Sequence, residues 1–267
     1  MTETDLTAAL IRDGLETRFI GQRVLHYPRL TTTMDRAREE ARKGAPEGTV
    51  IIADEQTAAR GRLRRTWLSP RGNIALSVIL YPGRERLHSL IMVASVAVAR
   101  SIEAVTGLKP ELKWPNDVLI GGKKVCGILV ESSVRGGVVD YAIIGTGVNV
   151  NLDPAGFPEI QPIATSLSGE LGREVSRLDL VRDLLREMES LYLAAAAGDS
   201  VYEEWRTRLA TPGRAVRVTS GETTLEGTAE SVDRDGSLLL RLPDGGLTRI
   251  LAGDVTLRDQ GPTSEAR

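Results

Sequence analysis

The sequence predicts a mixed α/β (α+β) domain followed by a smaller all-β domain. Three observations support this fold class. Between residues 21 and 210, runs with strand-like alternation are interleaved with segments of helical spacing, as in a sheet flanked by helices. From Thr211-Pro212-Gly213 onward, short strand-like runs are separated by turn clusters. With 267 residues and 41% hydrophobic composition, the chain is long enough for one large core and one small domain.

Composition narrows the class of protein. The formal net charge of −2 argues against a protein whose main task is to coat DNA or RNA. A single cysteine excludes an intramolecular disulfide framework, and two histidines leave a zinc site short of ligands. The longest apolar stretch, 90–105, is interrupted by charged residues, and residues 1–13 lack the pattern of a secretion signal. We therefore expect a cytoplasmic protein that does not enter a membrane.

The first part of the chain predicts a short lead and the beginning of the sheet. Leu6, Leu10 and Ile11 have helical spacing, which predicts one or two helical turns on the surface within residues 1–20. One hydroxyl of Thr31-Thr32-Thr33 is expected to cap the next helix, and Gly107 to end a long buried one. The predicted elements are strands over 21–27, 50–53 and 73–81 and helices over 34–43 and 86–106.

The middle of the chain continues the alternation of strand-like runs with helical segments. Gly145 and Gly147 interrupt an apolar strand, but no third glycine follows in register, which excludes a dinucleotide-binding turn. Glycine within a strand marks a bulge or a place where a ligand lies against the backbone, and we favour the ligand. The predicted elements are strands over 112–114, 118–120, 124–132 and 138–150, a Pro-rich loop over 153–172, a helix over 177–197 capped by Ser176, and a helix over 202–209.

The last part predicts a small β-barrel of about 45 residues, because its strands recur at the turn spacing of all-β modules. The predicted strands are 216–219, 223–232, 237–242 and 247–251. We expect four segments overall: a short lead over 1–20, the main domain over 21–210, the small domain over 211–258, and a disordered tail over 259–267.

Residues 56–67 read Gln-Thr-Ala-Ala-Arg-Gly-Arg-Leu-Arg-Arg-Thr-Trp, and we call this segment the arginine loop. Arginine presents a planar charged fork that matches carboxylate and phosphate oxygens. Gly61 lets the backbone approach a ligand closely, and Trp67 can stack on a base. The loop therefore predicts an anion-binding segment, although on its own it is equally compatible with a solvated basic loop or with nucleic-acid contact.

Two further motifs decide between these alternatives. Lys113-Trp114-Pro115-Asn116-Asp117 is followed by a strand-like run over 123–131 that contains Gly-Ile-Leu-Val-Glu. With the arginine loop, these segments resemble the biotin protein ligase family in order and spacing, since its usual patterns are G-R-G-R-x-x-R-x-W, K-W-P-N-D, and a lysine before G-I-L-x-E. The resemblance extends from about Gly21 to Arg258.

The resemblance implies a ligase that joins biotin to a lysine of a biotin carboxyl carrier protein by way of biotinyl-5′-AMP. It implies biotin as substrate, ATP and Mg²⁺, with the magnesium ligands unknown. It also implies a catalytic domain similar to class II synthetases and an SH3-like barrel. A homodimer is one of the two expected states, the monomer being the other. Repressor members of the family carry an extra N-terminal helix-turn-helix domain of about sixty residues. Only about twenty residues precede Gly21 in this sequence, so we do not expect DNA binding.

The resemblance also implies roles for individual residues. The expected catalytic residues are the cations Lys113, Arg62 and Arg60, since a cation-rich site with few histidines suits charge neutralisation rather than nucleophilic hydrolysis. The expected biotin-binding residues are Thr32, Thr33, Met34, Gln56, Arg60, Gly61, Arg62, Lys113, Gly127, Leu129 and Gly147. The expected ATP- and adenylate-binding residues are Arg62, Arg65, Trp67, Lys113, Asn116, Lys124 and Asn149.

Several alternatives stay open. Trp114-Pro115 is also compatible with a packed strand end, Asp117 with a turn and Glu131 with a solvated strand position. The family usually has glycine where this chain has Ala59 and often where it has Arg64, which bears on loop ordering and biotin affinity. The alternative functions are a lipoate or octanoate ligase of related fold, and a non-catalytic biotin-binding protein.

Overall fold

A computed structural model of the chain describes residues 6–198, 201–220, 222–251 and 253–257. It contains a seven-stranded sheet and a five-stranded sheet. The predicted tail over 259–267 and the first five residues of the predicted lead lie outside the described residues.

The first sheet is mixed, as predicted. Its strands stand in the order β1-β2-β3-β7-β6-β5-β4, in which β1 and β2 are parallel and all other neighbours are antiparallel. Since antiparallel strands can be joined by short turns, the hairpins at β5–β6 and β6–β7 need few connecting residues. The strands are β1 (Val24–Tyr27), β2 (Val50–Ala53), β3 (Ile74–Leu80), β4 (Glu111–Lys113), β5 (Asp117–Ile120), β6 (Lys123–Arg135) and β7 (Val138–Val148).

Helices cover both faces of this sheet. Side chains alternate along a strand, so Val50 and Ile52 join the core beneath α3 and α5, whereas Ile51 packs against α2 on the other face. The helices are α1 (Ala8–Arg12), α2 (Thr33–Arg42), α3 (Ser89–Thr106), α4 (Leu167–Leu171), α5 (Arg177–Ala197) and α6 (Tyr202–Arg208). This arrangement confirms a mixed sheet flanked by helices.

The predicted helix caps are present. The Thr32 hydroxyl accepts a hydrogen bond from the Met34 amide, and the Ser176 hydroxyl accepts one from the Asp179 amide. Gly107 ends α3 with φ of 74°, a left-handed conformation that favours glycine. α3 is also long and apolar enough to cross a membrane by length and composition, but 61% of it is buried inside the protein, as in the core helix of a soluble fold.

The predicted helical turn of the lead is present as α1, and its apolar side is packed into the core. Leu6 and Ile11 are buried in the main core, and α1 packs against α5 and β1. The buried Glu189 carboxylate of α5 accepts hydrogen bonds from the backbone N–H groups of residues 18–20, at 2.5, 2.8 and 2.8 Å. A few apolar residues at helical spacing predict a helix, but burial depends on a partner more than 160 positions away.

The second sheet is antiparallel, with strand order β11-β10-β9-β8-β12. Its strands are β8 (Ala215–Ser220), β9 (Thr223–Val232), β10 (Leu238–Arg241), β11 (Leu247–Ile250) and β12 (Asp254–Leu257). Closure into a barrel is not confirmed, because within the described residues β11 and β12 are the two edges of the sheet. Two elements were not predicted: β12, and α4 within the predicted Pro-rich loop.

Trp114 joins the two sheets. Its side chain is fully buried, its indole N–H donates to the Gly236 carbonyl at 2.8 Å, and its backbone N–H donates to the Thr211 hydroxyl at 2.9 Å. The interpretation of Trp114 as a packed strand end is therefore the one that the structure supports.

Candidate active site

A cavity of about 310 Å³ lies on the face of the first sheet that carries α2. The arginine loop, the beginning of α2, strands β6 and β7, and the beginning of β12 surround it. It brings together every residue that the sequence analysis assigned to the site: Thr32, Thr33, Met34, Gln56, Arg60, Gly61, Arg62, Arg65, Trp67, Lys113, Asn116, Lys124, Gly127, Leu129, Gly147 and Asn149. Their individual roles stay predictions.

One end of the cavity is polar and held in place by hydrogen bonds. Gln56 Oε1 accepts from the backbone N–H of Thr33 at 2.8 Å and from its hydroxyl at 3.2 Å. Gln56 Nε2 donates to Ser69 Oγ at 3.1 Å, and Ser77 Oγ donates to the Thr33 hydroxyl at 2.8 Å. Since each group has a partner, this end presents donors and acceptors in fixed positions.

The strand floor of the cavity is covered by two of the protein's own side chains. A Cβ built on Gly145 would lie 2.5 Å from Met34 Sδ, and one on Gly147 would lie 2.5 Å from Trp67 Nε1. A Cβ on Gly127 would lie 3.2 Å from the Trp67 ring. Glycine at these positions therefore lets Met34 and Trp67 lie directly on the strands. A ligand lying on the same glycines stays a prediction.

Two cations of the site are partly withdrawn from water. Burial lowers the pKa of Lys113, an effect that the nearby Asp117 carboxylate opposes. Burial also lowers the pKa of Arg62, opposed by Asp254 and then Asp117. A charge that has lost hydration gains most from a bound anion, because electrostatic attraction is stronger where water is excluded. The cavity is therefore suited to an anionic ligand.

The arginines of the loop contact three different elements. Arg62 donates to Asn116 Oδ1 at 3.3 Å and to the Gly253 carbonyl at 3.2 Å. Arg65 forms an ion pair with Asp254 of β12, and Arg60 forms one with Asp35 of α2 at 3.0 Å. Arg60 and Arg65 are exposed, whereas Arg62 is half-buried. The loop is thus held by the second sheet as well as the first.

The backbone conformation of the arginine loop shows whether Ala59, which stands where the family usually has glycine, is strained. Among the described residues, Leu63 is the one non-glycine residue with positive φ, at 52°. Ala59 is therefore outside the left-handed region, and its carbonyl accepts the Trp67 N–H at 3.0 Å. Alanine at this position therefore causes no backbone strain in the loop as it stands in this structure.

Lys124 and Trp67 lie together in another part of the cavity wall, which also carries a positive charge. The Lys124 ammonium pairs with Asp117 at 2.6 Å and lies 5.2 Å from the centre of the Trp67 ring. Asp117 therefore acts as more than a turn former, since it contacts a cavity cation. Asn149 is buried, and its side-chain amide donates to the Thr165 carbonyl at 3.0 Å, which fixes the loop after β7.

Residues from two segments were missed by the sequence analysis. Asp254, Val255 and Thr256 line the cavity from β12, and Ile160, Ile163 and Ala164 line it from the loop after β7. β12 has only four residues, and its contacts with the arginine loop join positions about 190 apart in the sequence. In the second segment, the apolar residues Ile160 and Ile163 within a Pro-rich loop are the sequence feature that could have indicated a contribution to the site.

Comparison with known proteins agrees with this geometry. Residues 27–149 match the biotin/lipoate A/B protein ligase family, and residues 211–258 match the biotin protein ligase C-terminal domain. The chain is 37% identical over 258 residues to the bifunctional ligase/repressor BirA of Bacillus subtilis, covering 94% of this chain and 79% of that protein. It is 35% identical over 227 residues to the biotin–[acetyl-CoA-carboxylase] ligase of Paracoccus denitrificans, covering 79% and 92%.

A solved structure shares the fold. The biotin protein ligase from Aquifex aeolicus in complex with biotin and ATP superimposes with a TM-score of 0.75 at 27% identity, covering 89% of this chain and 99% of that one. The order of the three motifs, the mixed sheet and the cation-lined cavity agree with these matches over nearly the whole chain. The chain belongs to the biotin protein ligase family.

Proposed function

We propose that the protein activates biotin with ATP to form biotinyl-5′-AMP and pyrophosphate, and then transfers the biotinyl group to a lysine of a biotin carboxyl carrier protein with release of AMP. The observation that carries this proposal is one cavity with a hydrogen-bonded polar end and a half-buried cationic end, in a family whose Aquifex member binds biotin and ATP. The arginine loop contributes to both ends, Gln56 to the polar end and Arg62 to the cationic end.

The chemistry requires such a site. Amide formation in water is uphill, so the carboxylate of biotin first needs a good leaving group, which AMP provides. Forming the adenylate brings a carboxylate against the α-phosphate of ATP, and the two anions repel each other. Cations that are fixed in place and poorly hydrated reduce this repulsion most effectively. Arg62 is held by its hydrogen bonds to Asn116 and Gly253, and burial lowers the pKa of both Arg62 and Lys113.

We assign the two ends of the cavity to the two substrates. The ureido head of biotin needs donors and acceptors at short range, which Thr33 and Gln56 supply at the polar end. The nucleotide is assigned to the corner formed by Trp67, Lys124 and Asn116, where an aromatic ring and a cation lie together. The acyl group and the α-phosphate then meet between Lys113 and Arg62.

Magnesium is assigned to the nucleotide rather than to a protein site. Among the described residues, no group of three or more His, Cys, Asp and Glu side chains is placed to hold a metal ion. The two carboxylates that line the cavity, Asp117 and Asp254, are paired with Lys124 and Arg65. ATP phosphates and water commonly provide most ligands of Mg²⁺.

The proposal also covers the domain boundary, the type of the second sheet, the location in the cell and the oligomeric state. We infer that the domains divide near residue 211, where the C-terminal family match begins, and that the second sheet is of the SH3-like type. Action in the cytoplasm, the absence of DNA binding and the choice between monomer and homodimer stay predictions. A lipoate or octanoate ligase is the weaker alternative, since the relatives are named for biotin.

One experiment tests the function directly. The protein is incubated with ATP, a carrier domain and either biotin, lipoate or octanoate, and the carrier is analysed by mass spectrometry. We expect the mass of one biotinyl group on one lysine, dependent on ATP and absent with the other acids. Acylation by lipoate or octanoate in place of biotin would support the alternative ligase. Biotin binding without pyrophosphate release would support the non-catalytic alternative.

A further inference from the structure

The arginine loop leaves the first sheet after β2 and returns to it before β3. We call residues 54–56 and 69–73, which connect the loop to the sheet, its two stems. The stems are paired, since the Gln56 N–H donates to the Ser69 carbonyl at 2.9 Å. The tip of the loop is held separately, by the three arginines described above. Gln56 thus belongs both to a stem and to the polar end of the cavity.

Two buried charges join the stems to α5. Asp54 follows β2 and continues the alternation of Ile52, so its side chain points to the face that carries α3 and α5. There Arg177, the first residue of α5, places Nη1 3.8 Å from Asp54 Oδ1, and the same nitrogen donates to the Asn73 carbonyl at 3.4 Å. The Asp54 and Arg177 side chains are 6% and 4% exposed. Arg177 therefore contacts one residue of each stem.

Other polar groups surround the Asp54 carboxylate. His26 Nε2 of β1 lies 3.1 Å from Oδ1, and Arg71 Nη1 of the second stem lies 3.8 Å from Oδ2. A buried ion pair often contributes no more to stability than apolar side chains of similar volume, but it can specify one arrangement of the groups that it joins. The neighbouring core residues Ile52 and Ile74 show that apolar packing is available at this place. The charged pair is therefore better explained by the geometry that it gives the stems.

We propose that Asp54 and Arg177 are positioning residues that fix Gln56 and, through it, the ureido head of biotin. The inference rests on the proposed function. Gln56 follows Asp54 by two positions, and the two side chains are held from opposite faces of the sheet. Arg177 of α5 contacts Asp54, whereas the Thr33 N–H of α2 donates to Gln56 Oε1 at 2.8 Å. A segment of three residues that is fixed at both ends leaves the Gln56 amide little freedom, and releasing Asp54 removes one of the two constraints.

The effect of releasing Asp54 should fall on biotin affinity rather than on the chemical step. Lys113 lies on β4, an edge strand of the first sheet, and Arg62 is held at the tip of the loop by Asn116 and Gly253. The cations assigned to the reacting groups therefore have attachments that do not involve the stems. A purely structural ion pair would lower the stability of the fold and leave the affinity for biotin unchanged, so the two roles are separable.

The test compares Asp54→Asn with a matched control, Glu189→Gln. Each variant replaces a buried carboxylate with the amide of the same size, and Glu189 holds residues 18–20 instead of the loop. Biotin binding is measured by calorimetry without ATP, and KM and kcat by pyrophosphate release. Hydrogen–deuterium exchange of the ligand-free protein reports on the stem, because the backbone N–H groups of residues 56–58 each donate to a backbone carbonyl.

We expect Asp54→Asn to raise Kd and KM for biotin by about threefold to tenfold, the range for weakening one hydrogen bond to a ligand. Its kcat and its KM for ATP should stay within about twofold of the wild type, and residues 56–58 should exchange faster. Glu189→Gln should lower the midpoint of unfolding as well, but it should speed exchange at residues 18–20 and leave the biotin KM unchanged.

Faster exchange of the stem with an unchanged biotin KM would make the ion pair structural only and overturn the inference. An equal rise of the biotin KM in Glu189→Gln would overturn it too, since general loosening would then be the cause. If Asp54→Asn does not fold, Arg71→Gln decides, because Arg71 is exposed and faces the same carboxylate; a rise of about twofold in the biotin KM is expected, and no rise would overturn the inference. A wild type that binds biotin without releasing pyrophosphate would refute the proposed function instead, and calorimetry would still test the role of Asp54.

Discussion

Replacing Lys113 with alanine tests the electrostatic account of adenylate formation most directly. Lys113 lines the cavity, and burial lowers its pKa, so its ammonium group has lost part of its hydration. The substitution removes a cation from the place where carboxylate and phosphate charges are to be brought together. The polar end formed by Thr33 and Gln56 is untouched, so biotin binding should largely remain.

The size of the effect follows from the charge removed. Two opposite unit charges about 4 Å apart interact by ~4 kcal/mol at an effective dielectric constant of about 20. This corresponds to roughly three orders of magnitude in rate. Arg62 and Lys124 remain in the cavity and compensate in part. We therefore expect adenylate formation to slow by about a hundredfold to a thousandfold, similar to removal of one fixed donor in other enzymes.

The assay is pyrophosphate release under single-turnover conditions, combined with calorimetry of biotin binding. Lys109→Ala serves as the control, because Lys109 is an exposed lysine shortly before β4 that does not line the cavity. Circular dichroism confirms that both variants fold. Pyrophosphate release by Lys113→Ala at the rate of the wild type would refute the role of Lys113, and a matching loss in Lys109→Ala would show that the effect is not local.

Four further outcomes are expected. We expect the arginine loop to cover the bound intermediate, so Arg62→Gly should release biotinyl-AMP into solvent, and blotting should then show biotin on unrelated proteins; continued selectivity for the carrier would contradict this. In the wild type, adenylation should fall as pH rises through the lowered pKa of Lys113, since only the charged form stabilises anions, and Lys113→Arg should shift this fall to higher pH. Gly147→Ala should displace Trp67, seen as changed indole fluorescence and weaker ATP binding; an unchanged spectrum would show that the strand adjusts instead. Glu189→Gln should lower the free energy of unfolding by about 2 to 3 kcal/mol in denaturant titrations, because a buried carboxylate that accepts three backbone hydrogen bonds is lost.

Local patterns were sufficient to predict most of the first sheet, whereas most residues of the site were implied by the resemblance to the biotin protein ligases. Hydroxyl groups before α2, glycine after α3 and alternating apolar residues in β3 each act within a few positions, so the sequence displays them. The arginine loop and Lys113 were recognised because their chemistry is concentrated in short segments. All sixteen site residues named from the sequence line one cavity.

Contacts between distant segments were not predictable in the same way. The pairing of Arg65 with Asp254 and the donation from Arg62 to Gly253 depend on where the second sheet docks. Trp114 contributes to that position, since its indole N–H donates to the Gly236 carbonyl. Nothing in the local sequence of β12 indicates that its first residues face the arginine loop. The burial of Leu6 was missed for the same reason.

The anchoring of residues 18–20 by Glu189 has a consequence for handling the protein. The chain upstream of β1 is fixed to α5, on the face of the sheet opposite the one that carries α2 and the cavity. A fluorophore or partner domain attached before residue 6 would therefore emerge on the far side of the molecule. Labels placed there should leave the active-site cavity accessible.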